Sequence, residues 1–196
     1  MQARSVVREA IGAPAGPVGN EGLLCAQPDT REVIRSLLDT QVQCVLSTVH
    51  EGKPSQHLMA YAHAPSLQEI YLVTRRGTTK ASNMLLHPMA ALLWDNRTGN
   101  TADHRGGLAL MAQGSAQLLN GWLGARARHL LRLRNPELMP LLQEERSVVF
   151  SVRVETYQLA LGYGGVETYI PGGDPDCFGV ALPLPAQKRR PPVSMV

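Results

Sequence analysis

Hydrophobic and polar residues alternate along several short stretches of the chain, each with a length typical of a β-strand. The predicted strands are 42–49, 55–62, 67–74, 89–94, 108–118 and 147–161. The four residues HEGK at 50–53 join the first two strands and are a hairpin signal, because glycine adopts a positive φ at low cost. Short strands that follow one another through tight turns predict an antiparallel sheet.

The last predicted strand changes phase along its length. Apolar residues occupy even positions from Val148 to Val154 and odd positions from Tyr157 to Leu161. A one-residue slip reverses the faces of a strand, so the change near Glu155 predicts a β-bulge or a crossing between sheets. Gly114 interrupts strand 108–118, which indicates either a bulge or the close approach of another backbone.

Apolar residues at helical spacing predict helices that interrupt the strands rather than alternate with them. The first follows Asp29 or Thr30 as N-cap, and the second ends before Pro88. The third covers 122–134, where arginines at 126, 128, 132 and 134 lie mostly off the apolar face and predict a solvated basic surface. A further short helix is expected after Asn135. These elements predict a mainly β protein, an antiparallel barrel with helical caps.

The most polar turn of the chain connects strand 67–74 to the second helix and reads TRRGTTK at 74–80. A helix start offers unpaired backbone N–H groups and a partial positive charge. With Thr78, Thr79 and Lys80 beside them, these groups are suited to an anion such as a phosphate. An ordinary N-cap with solvated cations explains the same residues.

Composition narrows the classes of protein to which the chain can belong. A net charge of +3 over 196 residues does not indicate nucleic-acid binding, although it suits a small phosphorylated ligand. Cys25, Cys44 and Cys177 are widely spaced and predict neither a disulfide framework nor a zinc site. Without a signal peptide or a membrane-spanning apolar stretch, we expect a cytoplasmic protein with no membrane partner. We expect an arm at 1–28, one domain at 29–170 and an irregular tail at 171–196.

Four segments together resemble the pyridoxamine 5′-phosphate oxidase-like family of FMN-binding split barrels. They are VLSTVHEGKP, YLVTRRGTTKASNMLLHP, ALLWDNR and LMAQGSAQLL, within a match that runs from about Glu32 to Tyr169. The resemblance implies an antiparallel six-stranded split β-barrel of Greek-key type with capping helices. It also implies an obligate homodimer in which both subunits contribute to each FMN site.

The resemblance assigns FMN contacts on two strands and on the turn that follows the second of them. Thr79 and Lys80, with Thr78, correspond to the phosphate site, and Thr74 with Val73 and Arg75 correspond to the ribityl chain or ring edge. His57 stands where the oxidase has a phosphate-binding arginine. A histidine donates a hydrogen bond but is charged only part of the time near neutral pH, so a packed core or rim histidine explains it equally well.

Four further residues are candidates for the flavin site. Asn96 and Arg97 either line the flavin or belong to a simple turn. Gln113 either faces the flavin or is a half-exposed polar residue of a strand. Tyr163, between two glycines, either borders the ring from the second subunit or packs structurally.

The C-terminal substrate signature of the oxidase, rich in Trp, Arg and His, has no counterpart here, which disfavours vitamin B6 oxidation. The leading hypothesis is an FMN-dependent oxidoreductase acting on an unidentified small-molecule substrate or electron donor; no catalytic residue is assigned. The alternatives are a deazaflavin-dependent reductase, a non-catalytic flavin-binding module, and a haem-binding split barrel. A haem-binding protein needs an axial ligand, and the candidates are His57, His63, His104 and His129.

Overall fold

The computed structural model describes residues 29–162 and 165–172. In chain order the elements are α1 (Thr30–Thr40), β1 (Gln43–His50), β2 (Lys53–His63), β3 (Glu69–Arg75), α2 (Thr79–Leu86), β4 (Met89–Asp95), α3 (Asp103–Gly106), β5 (Leu108–Leu119), α4 (Gly121–Arg134), a 3₁₀ turn (Pro136–Leu138), α5 (Met139–Gln143), β6 (Ser147–Leu161) and β7 (Val166–Tyr169). The predicted arm 1–28 and most of the predicted tail lie outside the described residues. Within the described ranges, no helix has the length and apolar character needed to cross a membrane.

The first six strands form a closed antiparallel barrel. The strand order is β3-β2-β1-β4-β5-β6-β7, and an additional pairing of β3 with β6 closes the barrel. The predicted mainly β fold, an antiparallel six-stranded barrel with capping helices, is therefore confirmed. The four-residue strand β7, which pairs with β6, was not predicted.

A bulge lies where the sequence predicts one. Gln113 pairs with Thr156 and Gly114 pairs with Val154, which leaves Glu155 as the extra residue of β6. A Cβ atom at Gly114 would collide with the Arg153 carbonyl, so the glycine also permits the close approach of two backbones. The phase slip of the hydrophobic pattern thus has a direct structural cause.

Helices α1 and α2 close the two ends of the barrel. Asp29 is the N-cap of α1, where its side chain accepts a hydrogen bond from the backbone N–H of Arg31 at 3.1 Å. The buried face of α1, Ile34, Leu37 and Leu38, belongs to the main core. Ala81 and Met84 of α2 join the same core.

Helix α4 covers the outer side of β3 and the adjoining parts of β2 and β6, where it forms a second apolar cluster. The prediction of a wholly solvated basic face on this helix is wrong at two positions. Arg128 donates hydrogen bonds to the carbonyl oxygens of Leu142 (2.8 Å) and Ser147 (2.7 Å). Arg134 donates to the carbonyl oxygens of Leu38 and Gln41 at the end of α1. Both side chains are long enough to reach backbone acceptors that neighbouring elements supply.

The outer side of β1, β4 and β5 is accessible, unlike the outer side of β3, which α4 covers. Val45, Leu93 and Met111 form a row across these strands, and all three are only half-buried. Leu58 of β2 continues the row at 65% exposure, and Met89 nearby is 59% exposed. This side of the barrel is an accessible apolar surface, which we call the outer apolar face.

Candidate functional site

The turn between β3 and α2 holds its own hydroxyl groups in a chain of hydrogen bonds. Gly77 adopts a φ of +82°, which suits glycine, and so reverses the backbone after Arg76. The Thr78 hydroxyl donates to the Arg75 carbonyl at 3.0 Å and lies 3.1 Å from the Thr74 hydroxyl. Because Thr78 has only one hydroxyl proton, Thr74 donates in the second contact. We call residues 74–80, part of which the family resemblance assigns to a phosphate, the phosphate turn.

The start of α2 lacks a capping side chain. Thr78 occupies the N-cap position with extended backbone, but its hydroxyl makes no cap hydrogen bond. The first helical bond of this turn runs from the Ser82 N–H to the Thr78 carbonyl at 3.0 Å. The N–H groups of residues 79–81 therefore remain available to an anion at the helix start.

His57 adds a buried polar atom to this region. It lies on β2 opposite Leu46, so its side chain shares the inner face with that buried residue. Its Nε2 atom is buried and has no hydrogen-bond partner among the described residues. Burial, and then the positive charge of Lys80, lower the pKa of His57 below its ordinary value. The structure thus brings His57 within electrostatic range of the phosphate turn.

Two other predicted contacts of β3 have limited freedom. The Val73 side chain is buried in the second apolar cluster under α4, so only its backbone can contribute to a ligand site. Arg75 forms a two-point ion pair with Glu144, at 2.6 and 2.7 Å. The hydrogen bonds from Arg75 hold the pKa of Glu144 below its usual range. Thr74, in contrast, is buried on the inner face beside Thr78.

Asn96 and Arg97 follow the end of β4 that lies away from the phosphate turn, whereas Gln113 pairs with Ala91 at the α2 end and shares the outer side of β5 with Met111. The Asn96 side chain accepts a hydrogen bond from the Leu108 N–H at 2.7 Å, and Arg97 pairs with Asp95 at 2.7 Å. Asn96 lies six residues beyond Ala90, the β4 residue at the α2 end, which is roughly 20 Å along an extended strand. Gln113 is exposed on β5. Tyr163 lies outside the described residues.

Two residues beside the turn were missed from the sequence. Glu144 holds Arg75, and the Arg146 carbonyl accepts a hydrogen bond from the Arg76 N–H at 2.8 Å. Both precede β6, which pairs with β3 to close the barrel. No local pattern marks them, but a closed barrel of these strands requires the start of β6 to lie beside the end of β3.

Metal and thiol chemistry find no support in the part of the chain that the structure describes. No group of three or more His, Cys, Asp or Glu side chains lies together there in a way that could hold a metal ion. Cys44 is buried in the core, and burial raises the pKa of its thiol to about 12. A thiol with so high a pKa is a packed side chain rather than a nucleophile.

Comparisons with known proteins agree with this architecture. Residues 30–151 match the family model described as pyridoxamine 5′-phosphate oxidase. A search of curated protein sequences finds no match. The solved structure of a haem-binding protein from Mycobacterium smegmatis is similar, with a TM-score of 0.66 and 17% identity over 74% of this chain and 59% of that one. The chain therefore spans less than two thirds of that relative.

Two further solved structures cover most of their own chains. A FAD-binding protein from Mesorhizobium loti has a TM-score of 0.54 and 16% identity, over 67% of this chain and 93% of that one. The haem storage protein HutZ from Vibrio cholerae has a TM-score of 0.58 and 14% identity, over 66% and 92%. At these identities the likeness concerns the fold alone.

Proposed function

The chain belongs to the pyridoxamine 5′-phosphate oxidase family, and from that premise we propose that it binds FMN and uses it in the oxidation or reduction of a small molecule. The observation that carries this proposal is the uncapped start of α2, where Lys80 stands without a carboxylate partner in the described residues. Unpaired amides and an uncompensated cation at a helix start are the groups that a phosphate monoester needs.

Different groups of the phosphate turn contact different parts of the cofactor. The N–H groups of residues 79–81 and the Lys80 ammonium group bind the phosphate, while Thr74 lies at the inner rim of the turn. His57 contributes its unpartnered Nε2 from the neighbouring strand. Bound FMN supplies the hydride or electron chemistry, so the chain needs to bind and orient it rather than provide a nucleophile or paired carboxylates.

The outer apolar face supports the proposal of a homodimer with two FMN sites. Accessible apolar surface of this kind is common at interfaces between subunits. A dimer through this face also gives Gln113, which shares the outer side of β5 with Met111, a route to the partner's flavin.

The absorption spectrum of the purified protein, followed by titration with FMN, tests the cofactor. We expect flavin bands near 370 and 450 nm, as is usual for this cofactor, or quenching of added FMN fluorescence at stoichiometric ratio. Riboflavin, which lacks the phosphate, is the control ligand and should bind more weakly than FMN. Absence of FMN binding would reject the proposed function.

A haem protein is the second candidate, and His57 is the observation that favours it. Of the four histidines considered as axial ligands, His57 has a buried nitrogen without a described partner. Both ring nitrogens of His63 are engaged, with Asp39 at 2.8 Å and with the Ala64 carbonyl at 3.1 Å. A Soret band in place of flavin bands, lost in His57→Ala, would favour this candidate.

Two matched substitutions test the homodimer. Leu58 on the outer apolar face is 65% exposed, and Leu133 on α4 is 63% exposed. We expect Leu58→Asp to yield a species of one chain's mass in size exclusion with light scattering, whereas Leu133→Asp should leave the dimer intact. A wild-type protein of one chain's mass that carries stoichiometric FMN would refute the shared site.

A further inference from the structure

His57 differs in kind from Lys80, the other cationic group of the proposed phosphate site. A lysine keeps its charge at neutral pH, whereas an imidazole gains or loses its proton there. The charge that His57 presents to a ligand therefore depends on its surroundings and on the ligand itself.

The groups around His57 disfavour its protonated form when no anion is present. Its partner on β1, Leu46, is fully buried and apolar. Helix α2 contributes Lys80, with His87 after its last turn, and the β1–β2 hairpin contributes His50, Lys53 and the exposed Glu51, which has no resolved effect on His57. Burial and the charge of Lys80 lower the pKa of His57, and no carboxylate opposes them. At pH 7 the free site accordingly holds a neutral imidazole beside a lysine.

We infer that His57 takes up a proton when a phosphate binds, so that the preference for phosphorylated over unphosphorylated flavin weakens as the pH rises. This inference rests on the proposed function, because it assigns the FMN phosphate to this site. A phosphate dianion beside Nε2 reverses the local electrostatics: it compensates Lys80 and accepts a hydrogen bond from the imidazolium. The buried nitrogen, which lacks a partner among the described residues, then has one.

The sign of the effect follows from proton linkage. Binding raises the pKa of His57 from its lowered value in the free site, so binding is tightest below the free pKa. Between the pKa of His57 in the free protein and its pKa in the complex, FMN affinity falls by as much as tenfold for each pH unit, because each binding event takes up a proton from solution. The second pKa of a phosphate monoester is about 6, so the measurement belongs above pH 6.5, where the ligand is already a dianion.

The experiment measures dissociation constants for FMN and riboflavin by fluorescence quenching from pH 6.5 to 9. Wild type, His57→Arg and His57→Gln are compared. We expect the FMN affinity of the wild type to fall by about tenfold across this range. The arginine variant should bind FMN tightly with a shallower dependence on pH, and the glutamine variant weakly with the same shallow dependence. Riboflavin binding should vary little in all three proteins.

Calorimetry on the unsubstituted protein gives a second readout that needs no variant. FMN binding at pH 7.5 is measured in two buffers of different ionisation enthalpy, and the difference should reveal net proton uptake. FMN binding without proton uptake, or an equal pH slope in His57→Gln, would overturn the inference while the proposed function stands. If FMN fails to bind the wild type at any pH, the proposed function fails and this inference fails with it.

Discussion

Helices close both ends of the barrel, but the two ends compensate their charges differently. At the α1 end, cationic groups meet acceptors within the chain. Arg134 donates to the Leu38 and Gln41 carbonyls and lies 3.8 Å from Asp39, which also contacts His63 at 2.8 Å. The Arg134 guanidinium lies 4.8 Å from the centre of the Tyr61 ring. This arrangement needs no ligand.

At the α2 end, Lys80 and His57 lack such partners among the described residues. Lys80 lies in the first turn of a helix without a side-chain cap and within electrostatic range of His57, and the carboxylate of Glu144 is bound to Arg75. The buried hydrogen bond from Asn83 to Thr48, at 3.0 Å, secures α2 against β1 without using any of these groups. The helix is therefore anchored by residues other than those that can bind an anion.

Unpartnered nitrogens alone do not distinguish the two ends. Trp94 Nε1 and Arg134 Nε, at the α1 end, are also buried without a hydrogen-bond partner among the described residues. The difference is that the cationic groups at the α1 end contact a carboxylate and carbonyl oxygens, whereas Lys80 and His57 form no such contact with the residues that the structure describes. A cationic group without a partner inside the chain is the better indicator of a ligand site, because a bound anion can supply the missing partner.

The largest expected effect is on stability, at the α1 end. Tyr61 is fully buried, and its hydroxyl lies 2.6 Å from the Leu38 carbonyl and 2.9 Å from the Gln41 carbonyl. Tyr61→Ala should lower the free energy of unfolding by about 3–5 kcal/mol, the usual cost of deleting a buried aromatic side chain. Chemical denaturation measures it, with Leu133→Ala as an exposed control.

The milder Tyr61→Phe keeps the ring and removes only the hydroxyl, so we expect a loss of about 1 kcal/mol. Neither change should alter FMN affinity in the folded protein. A large loss of affinity in Tyr61→Phe would contradict the functional separation of the two ends.

The next effect is on binding, at the α2 end. Lys80→Ala should weaken FMN binding by about 1.5–3 kcal/mol, the value of a charge-assisted hydrogen bond. Because Lys80 lacks a partner in the described chain, the free energy of unfolding should change by less than about 0.5 kcal/mol. Arg126→Ala, on the exposed surface of α4, is the control in the same fluorescence titration. Equal FMN affinities in these two variants would contradict the assignment of Lys80 to the phosphate.

The smallest effect concerns the ion pair beside the turn. Glu144→Gln releases the Arg75 guanidinium and adds net positive charge near the bound phosphate, so FMN affinity should rise by about twofold at low salt and less at high salt. The neighbouring Glu145→Gln controls for net charge alone. A clear fall in affinity would instead show that Glu144 is needed to orient Arg75.

Much of the barrel and part of the site follow from local patterns. The slip between Val154 and Tyr157 predicts the bulge, because a strand's side-chain period of two leaves no other place for the extra residue. The phosphate turn is also local, since its glycine and hydroxyl residues are consecutive.

Contacts between distant segments are the part that could not be predicted. The helical pattern of α4 places Arg128 and Arg134 off its apolar face, yet the long side chains reach carbonyl groups contributed by α1 and by the start of β6. Similarly, nothing near His57 in the sequence reveals Lys80, which lies on another element. Periodicity reports which face a residue occupies and not what it meets there.

The closure of the barrel has a consequence for how the protein folds. β3 pairs with β2 only from Ile70 to Leu72, so its last residues, which lead into the phosphate turn, pair only with β6, a strand that lies far along the chain. Such distant pairings carry a large loop-closure entropy and form slowly. Because β3 leads directly into the phosphate turn, we expect this turn to become ordered late, after the local hairpin β1–β2. A nascent chain would then order this turn only once β6 has been synthesised.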